Sequence, residues 1–511
     1  MSKSLASRAF SGLKWTSAST IANAVMQIGY TSVMARLLAP EAFGLVSLAT
    51  VILGFGNYFA TMGLNQAIIQ KEELTKANIR AAFTTSVLLG LLCTVVMWLL
   101  APTAAVFFEN KEVTPIVRVM ASMFLINGLA STAVSILQRE MRFKAIGIVE
   151  TISYVMSYLV VGVVLAYLDF GFWSLVYATV TQMVLTSAGS YFLVRHSVLP
   201  IFSWSAYQPL FSYGSRMSFL GVLEYIYSQL HIILVGKVLG MHKLGIYTRA
   251  HMLVNLPMYN ITRTLSKVIF PSFSKLQSDI QKLGKVYLSS ITLLAAVLIP
   301  ICMGILVTAP ELVRILLGEQ WGESVPVLQV LSLAIPIGFI TMFSGIVCDA
   351  KAELNLKIVI TVTYMVVLVA LFMLLRGFGL VGFAMAVLFG EIIRMGLFQI
   401  AMKRILGVSF VHQLRCYIPG VLNGSIIAVA VHLLSIFLRE MQLPVVAVFA
   451  VQLVACGILY LLLTILFPHR VLKAEIGLVL NKMGLQGNSE SFTGRIISRY
   501  KNSLINEPEG A

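Results

Sequence analysis

The 511-residue chain is 58% hydrophobic and only 11% charged, with a net charge of +16 and a mean hydropathy of +0.90. Soluble domains carry about 25% charged residues, so a water-soluble globular fold is excluded. Five cysteines (Cys93, Cys302, Cys348, Cys416, Cys456) stand singly in mostly apolar sequence, which points to ordinary packing rather than to a metal site.

Apolar runs of about 20 residues, the length that crosses a bilayer, recur about fourteen times. The first six cover about 13–37, 43–69, 81–108, 115–137, 145–167 and 171–194. The next six cover about 210–236, 244–270, 287–309, 325–348, 356–375 and 380–402. Two more follow, at about 417–438 and 443–467. Backbone groups in lipid must satisfy one another, and runs this long without period-two alternation do so as helices. The fold class is therefore all-α integral membrane. The first run follows Lys3, Arg8 and Lys14 as a signal peptide would, but its length, Asn23 and Gln27 mark it as a retained span. Beyond His469, apolar Leu472, Ile476, Leu480 and Met483 alternate with Lys473, Glu475 and Lys482. That pattern predicts a short helix on the cytoplasmic surface, with loose polar sequence from about residue 487.

The chain also repeats itself. Met34–Ala39 with Phe43-Gly44-Leu45 returns as Val235–Gly240 with Leu244-Gly245-Ile246, at a constant offset of 201. Phe170-Gly171-Phe172 returns as Phe378-Gly379-Leu380, at an offset of 208. Such duplication is characteristic of secondary transporters. It divides the chain into six-helix lobes at 1–200 and 201–405, two additional helices within 406–467, and a cytoplasmic tail at 468–511. Six spans per half make the copies parallel, related by an axis along the membrane normal. With the N-terminus inside, basic residues such as Lys71, Lys76, Arg80, Arg139, Arg142, Lys144, Lys351, Lys403 and Arg404 fall in cytoplasmic loops, while few lie in the opposite loops. This positive-inside bias places both termini in the cytoplasm and accounts for the basic balance without nucleic acid.

Catalytic signatures are scarce. Gly377–Gly382 spells G-x-G-x-x-G, but between two membrane spans it reads as a tight turn and not as a dinucleotide loop. No phosphate-binding P-loop and no His-Glu-x-x-His motif occurs, and the three aspartates (Asp169, Asp279, Asp349) are too far apart for a D-x-D pair. No enzyme, metal or cofactor is expected.

What the sequence does hold is charge inside the spans: Arg118, Glu150, Arg216, Glu224, Arg249, Arg263, Lys267, Glu391 and Arg394. Each costs about 2.5–3.5 kcal/mol on insertion scales, so each is a functional candidate. Plainer readings exist for some: Arg263 and Lys267 can snorkel, Glu150 sits near a helix start, and Glu391 and Arg394, three apart, can neutralise each other. Asn23 aligns with Glu224, Gln27 with Ser228, and Tyr30 with His231 in the repeat. Two readings fit this alignment. Spans one, two, seven and eight either line a water-filled cavity or use these groups to join helices.

Five segments carry a resemblance. They are Gly12–Trp15, Ala35–Gly44, Gly63–Lys71, Leu137–Phe143 and Gly171–Val176. In this order they resemble Wzx-type polysaccharide flippases of the multidrug/oligosaccharidyl-lipid/polysaccharide exporter superfamily, most closely its colanic acid exporter-like and lipopolysaccharide-biosynthesis branch. The resemblance implies alternating access in a bacterial inner membrane. It implies a substrate of oligosaccharide on undecaprenyl diphosphate, coupling to H+ or Na+, and membrane partners in polysaccharide assembly. Arg216, Arg249 and Arg118, with Asn23, Gln27 and His231, are the candidate substrate contacts, since arginine binds phosphate oxygens in bidentate fashion. Glu224, then Glu391, are the candidate ion-coupling carboxylates. Competing readings are a drug or small-cation exporter, whose cavity should favour carboxylates, a membrane glycan polymerase or ligase, which needs a larger outer loop, and a non-transporting scaffold.

Overall fold

The computed structural model describes residues 22–61, 68–69, 74–201, 204–465, 469 and 472–473, of which 58–61, 204–220, 263–272 and 274–275 are described by their backbone. The expectations for Arg216, Arg263, Lys267 and the amphipathic tail lie outside the described side chains. Among the described residues the secondary structure is helical throughout, and ten stretches are long and apolar enough to cross a membrane.

The chain forms two compact units, one of residues up to Arg249 with Leu316–Gln320, the other of Ala250–Ile315 with the residues from Trp321 onward. In the first unit α1 covers 22–37, α2 Pro40–Thr61, α3 Lys76–Phe107, α4 Val113–Arg139, α5 Phe143–Tyr167 and α6 Phe172–Val194. The helix Trp204–Lys275 is broken at Gly240, where φ is 79° and ψ 176°, into α7 (204–239) and α8 (241–275). That break falls at the repeat position of Ala39, where the chain leaves α1 for α2, so both copies turn at the same register.

The first unit packs α4 between α3 and α6 and against α2. Small residues make the close approach possible: a Cβ on Gly90 would sit 2.5 Å from the Phe124 carbonyl oxygen. In lipid, where apolar surface gives helices no reason to associate, such contact lets dispersion and weak polar interactions act at short range. Thr75 starts α3 with a capping box, its hydroxyl accepting from Asn78 N at 3.2 Å while Asn78 Oδ1 accepts from Thr75 N at 3.3 Å.

The repeat pairs meet directly. Gly44 on α2 packs on the Met241 carbonyl, and Gly245 on α8 packs on the Pro40 carbonyl, each with no room for a Cβ. Met241 and Gly245 stand 201 residues after Pro40 and Gly44. One helical turn further, Ser47 Oγ donates to Thr248 Oγ1 at 3.4 Å, again across an offset of 201. The duplicated glycines thus form a symmetric crossing of the first turns of α2 and α8.

In the second unit α9 covers Ile280–Leu316, α10 Ser324–Ala350, α11 Leu354–Leu375, α12 Gly379–Leu406, α13 Phe410–Arg415, α14 Ile418–Glu440 and α15 Val445–Ile465. Helix α12 packs on α10 and α11, and α14 packs on α15. Gly420 of α14 lies on the Ala295 carbonyl of α9, and Tyr287 Oη shares a 2.9 Å hydrogen bond with Ser344 Oγ. The G-x-G-x-x-G stretch forms the turn from α11 to α12. Gly379 there has φ 60° and ψ −143°, almost the conformation of Gly171 before α6 (φ 55°, ψ −133°). Only glycine adopts that region readily, which explains why both turns keep it.

Candidate functional site

Two features of helix α5 build the site in the first unit. Its Val155–Gly162 segment is π-helical, a local widening and underwinding that re-aims side chains and recurs at functional sites. Tyr154 and Tyr158 come to one face of it and pack together, with ring centroids 4.6 Å apart. Tyr30 of α1, 6% exposed, meets Tyr158 edge-on at 4.9 Å. Gly162 makes room for it: a Cβ there would lie 3.0 Å from the Tyr30 hydroxyl. Tyr158 Oη is shared with Thr179 Oγ1 at 3.3 Å.

Arg249 enters from α8. Side chains lean toward the N-terminus of their helix, so its guanidinium reaches back toward the α2–α8 crossing and lies 4.8 Å from the centroid of Phe43. At a rise of about 1.5 Å per residue, Arg249 and Tyr30 each lie about 10–12 Å below the ends of their helices at that crossing. His231 of α7 packs on Tyr247 with ring centroids 5.7 Å apart. Among the described residues, Asn23 Oδ1 and the Tyr30 hydroxyl are buried without a hydrogen-bond partner. A cation on an aromatic face, in a unit that also buries a phenolic hydroxyl and a carboxamide oxygen, suits an anionic group attached to a polyhydroxylated one. Arg249 can bind phosphate oxygens, and the rings can cover the apolar faces of a sugar.

The sequence-derived candidates fall differently. Arg249 packs on Phe43; Gln27 and Asn23 lie about one and two turns before Tyr30 on α1, half-buried. Glu224 is exposed on α7. Arg118 is not brought to the tyrosines. It stacks 4.1 Å over Trp98, a lipid-exposed residue of α3, with its Nε 3.4 Å from the Trp98 carbonyl. In the second unit Glu391 and Arg394, each 7% exposed, form an ion pair through Glu391 Oε2 at 2.9 Å from Nε and 2.6 Å from Nη2. Arg394 Nη2 also donates to the Gly338 carbonyl at 3.1 Å, and its guanidinium lies 5.5 Å from the Tyr364 centroid. Sequence reasoning did not single out Phe43, Tyr154, Tyr158 or Tyr247. The i, i+4 spacing of Tyr154 and Tyr158 was the available signal. Among the described residues no group of three His, Cys, Asp or Glu side chains could hold a metal ion.

Residues 33–326 match the family model described as polysaccharide biosynthesis protein. The chain belongs to that family. It is 24% identical to the lipopolysaccharide biosynthesis protein WzxC of Escherichia coli (strain K12), over 71% of this chain and 74% of that protein. It is likewise 24% identical to the teichuronic acid biosynthesis protein TuaB of Bacillus subtilis (strain 168), over 69% of this chain and 73% of that one. Among solved structures, the inward closed conformation of the lipid II flippase MurJ superposes with a TM-score of 0.67 at 12% identity, covering 93% of this chain and 100% of that one. The fold of this polysaccharide biosynthesis family member is thus that of a multi-pass membrane transporter.

Proposed function

We propose that the chain is a flippase. It carries undecaprenyl-diphosphate-linked oligosaccharide repeat units from the cytoplasmic to the outer leaflet of a bacterial inner membrane, for exopolysaccharide, O-antigen or capsule synthesis. Family membership supports the glycan, and the fold shared with a lipid II flippase supports transport of a lipid-linked one. The observation that carries the reading is Arg249, a cation 4.8 Å from the centroid of Phe43 within the membrane-spanning part of the protein. A diphosphate supplies the anionic oxygens that such a guanidinium binds in bidentate fashion. No chemistry on the glycan is required.

Both termini lie in the cytoplasm in this reading, so the crossing of α2 and α8 is at the outer face, above Arg249. Moving an anion outward across an inside-negative membrane gains about 2.3 kcal/mol per charge per 100 mV. Coupling to H+ or Na+ is then needed mainly to reset the carrier, with Glu224 of α7 the first candidate carboxylate and Glu391, which Arg394 holds, the second. Other membrane proteins of polysaccharide assembly would receive the flipped unit.

The test is a strain lacking the gene, assayed for lipid-linked repeat units on the cytoplasmic side and complemented with variants. Arg249→Ala should leave the units accumulated, and Arg249→Lys should restore export in part. Full export by Arg249→Ala at normal protein levels would overturn the assignment. Glu224→Gln should abolish ion dependence; export with unchanged ion dependence would remove Glu224 from the mechanism.

A further inference from the structure

The short helix α13 is turned inside out by the standards of a helix in water. Its Gln413 is 1% exposed, whereas Val411 is 57% and Leu414 51% exposed. Phe410 is exposed as well. Two backbone carbonyls hold the buried carboxamide: Gln413 Nε2 donates to Gln399 of α12 at 3.0 Å and to Val408 at 3.1 Å. Gly407 makes this return possible by ending α12 in the left-handed region, at φ 71°. Ser409 then caps α13, its hydroxyl accepting from His412 N at 3.4 Å.

Helix α13 joins the end of one span to the start of the next, since the apolar runs around it close at about residue 402 and reopen at about 417. Its exposed side chains therefore stand at headgroup level, where an outward apolar face meets acyl chains. Helical spacing groups Phe410 with Leu414 and Val411 with Arg415 on that outward face. Buried Gln413 and Cys416 lie on the opposite one.

Cations border this face. Lys403 Nζ lies 5.7 Å from the centroid of the Phe410 ring, Arg404 follows it on the last turn of α12, and Arg415 ends α13. All three are exposed, and among the described residues none forms an ion pair. The sequence holds no Asp or Glu between Glu391 and Glu440. Carboxylates on neighbouring elements do not neutralise the three. The start of α9 packs here, a Cβ on Gly284 falling 3.3 Å from Val408 Cγ2; its Asp279 is already paired with Lys282 at 2.9 Å, and Lys285 adds another positive charge. Glu353, just before α11, pairs with none of the three. Even with Glu353 counted, the surface is positive.

We infer that α13 is an interfacial anchor that binds anionic membrane phospholipid. Phe410, Val411 and Leu414 sit among the upper acyl chains, and Lys403, Arg404 and Arg415 meet the headgroup phosphates. An apolar face beside these cations fits a lipid better than free phosphate, to which exposed apolar side chains would contribute nothing. Gln413 fixes the depth of the anchor, so the joint between α12 and α14 is held at the membrane surface. The site is independent of Arg249 and of the glycan.

The experiment is native mass spectrometry of the full chain released from mixed phosphatidylglycerol and phosphatidylcholine micelles, with and without millimolar inorganic phosphate. The unsubstituted protein should retain phosphatidylglycerol preferentially. Arg404→Gln and Arg415→Gln should each reduce that preference about fivefold, the worth of one basic residue near an anionic surface, and Arg404→Lys should leave it unchanged. Lys76→Gln, which removes an exposed charge at the start of α3, should not alter it. An equal loss there would make the preference a property of overall charge and overturn the site. The two arginines are exposed and lie on different helices, so one variant remains informative should the other fail to fold. Displacement of phosphatidylglycerol by inorganic phosphate would make the ligand free phosphate and overturn the lipid assignment. Equal retention of both lipids, or a preference that neither arginine variant changes, would overturn the anchor.

Discussion

Substituting Gly245 by alanine tests the crossing of α2 and α8 at its tightest point. The new Cβ would fall well inside contact distance of the Pro40 carbonyl oxygen. Both partners are backbone, so no rotamer change can absorb the overlap. Carbon-to-carbonyl contacts settle at about 3.3–3.6 Å, which requires the helices to part by on the order of an ångström. Overpacking of this kind costs about 1–3 kcal/mol. Parting also lengthens the Ser47–Thr248 hydrogen bond, already at 3.4 Å, and its loss adds about 1 kcal/mol. A total of about 2–4 kcal/mol moves the balance between crossed and parted helices by about 30-fold to several hundred-fold. The assay is a disulfide between Ser47→Cys and Thr248→Cys, its yield read by peptide mass spectrometry in membranes. The pair should cross-link readily in the Gly245 parent and at least about tenfold less with Gly245→Ala. Gly44→Ala, which meets the Met241 carbonyl, should act alike, and the double variant should cost less than the sum because both break one contact. Unchanged cross-linking and unchanged thermal stability in both single variants would refute the reasoning.

Glu391→Ala should destabilise the protein by about 3–5 kcal/mol by leaving Arg394 charged and buried without its partner; Glu391→Leu with Arg394→Met should recover most of the loss in thermal unfolding, and a stable Glu391→Ala would contradict this. His196, buried between Phe83 and Tyr191, is held below the ordinary histidine pKa of 6.5, first by burial. The fold therefore keeps its full stability above pH 6.5 and loses some as the pH falls below it, where only the unfolded chain takes the proton. His196→Phe should flatten the decline of melting temperature between about pH 7 and 5, and an equally steep decline would exclude His196 as its source. Glu109, 2.7 Å from Lys237 Nζ, has its carboxyl held below the ordinary 4.5, first by that hydrogen bond and then by the lysine charge. Its contribution persists at neutral pH and is lost only as the pH drops below 4.5; a Glu109→Gln variant should lack that acid-side loss and show weaker salt dependence, both readable by thermal unfolding.

Much of the candidate site was legible as residue type and little of it as arrangement. Asn23, Gln27, Tyr30 and Arg249 stand out because polar groups in lipid are expensive, and the 201-residue offset marks which of them share a depth. Arg118 stands out for the same reason, yet it snorkels to the Trp98 face of α3, and one-dimensional sequence has no means to distinguish the two outcomes. The tyrosines of α5 were hidden because Tyr and Phe are ordinary in apolar spans. Only the π-helical register of Val155–Gly162 brings Tyr158 to Tyr30.

The order of residues alone places this chain in a membrane, since hydropathy is a sum over residues and needs no neighbours. It also determined where the duplicated helices break, because Ala39 and Gly240 hold the same place in the repeat and glycine supplies the turn. Only the packed helices show that the repeated glycines touch one another, that Arg249 lies on the ring of Phe43, and that Arg439 pairs with Glu311 across 128 residues. Such pairings depend on how helices cross in three dimensions, where one glycine more or less moves a backbone by an ångström, and no local pattern in the chain encodes that.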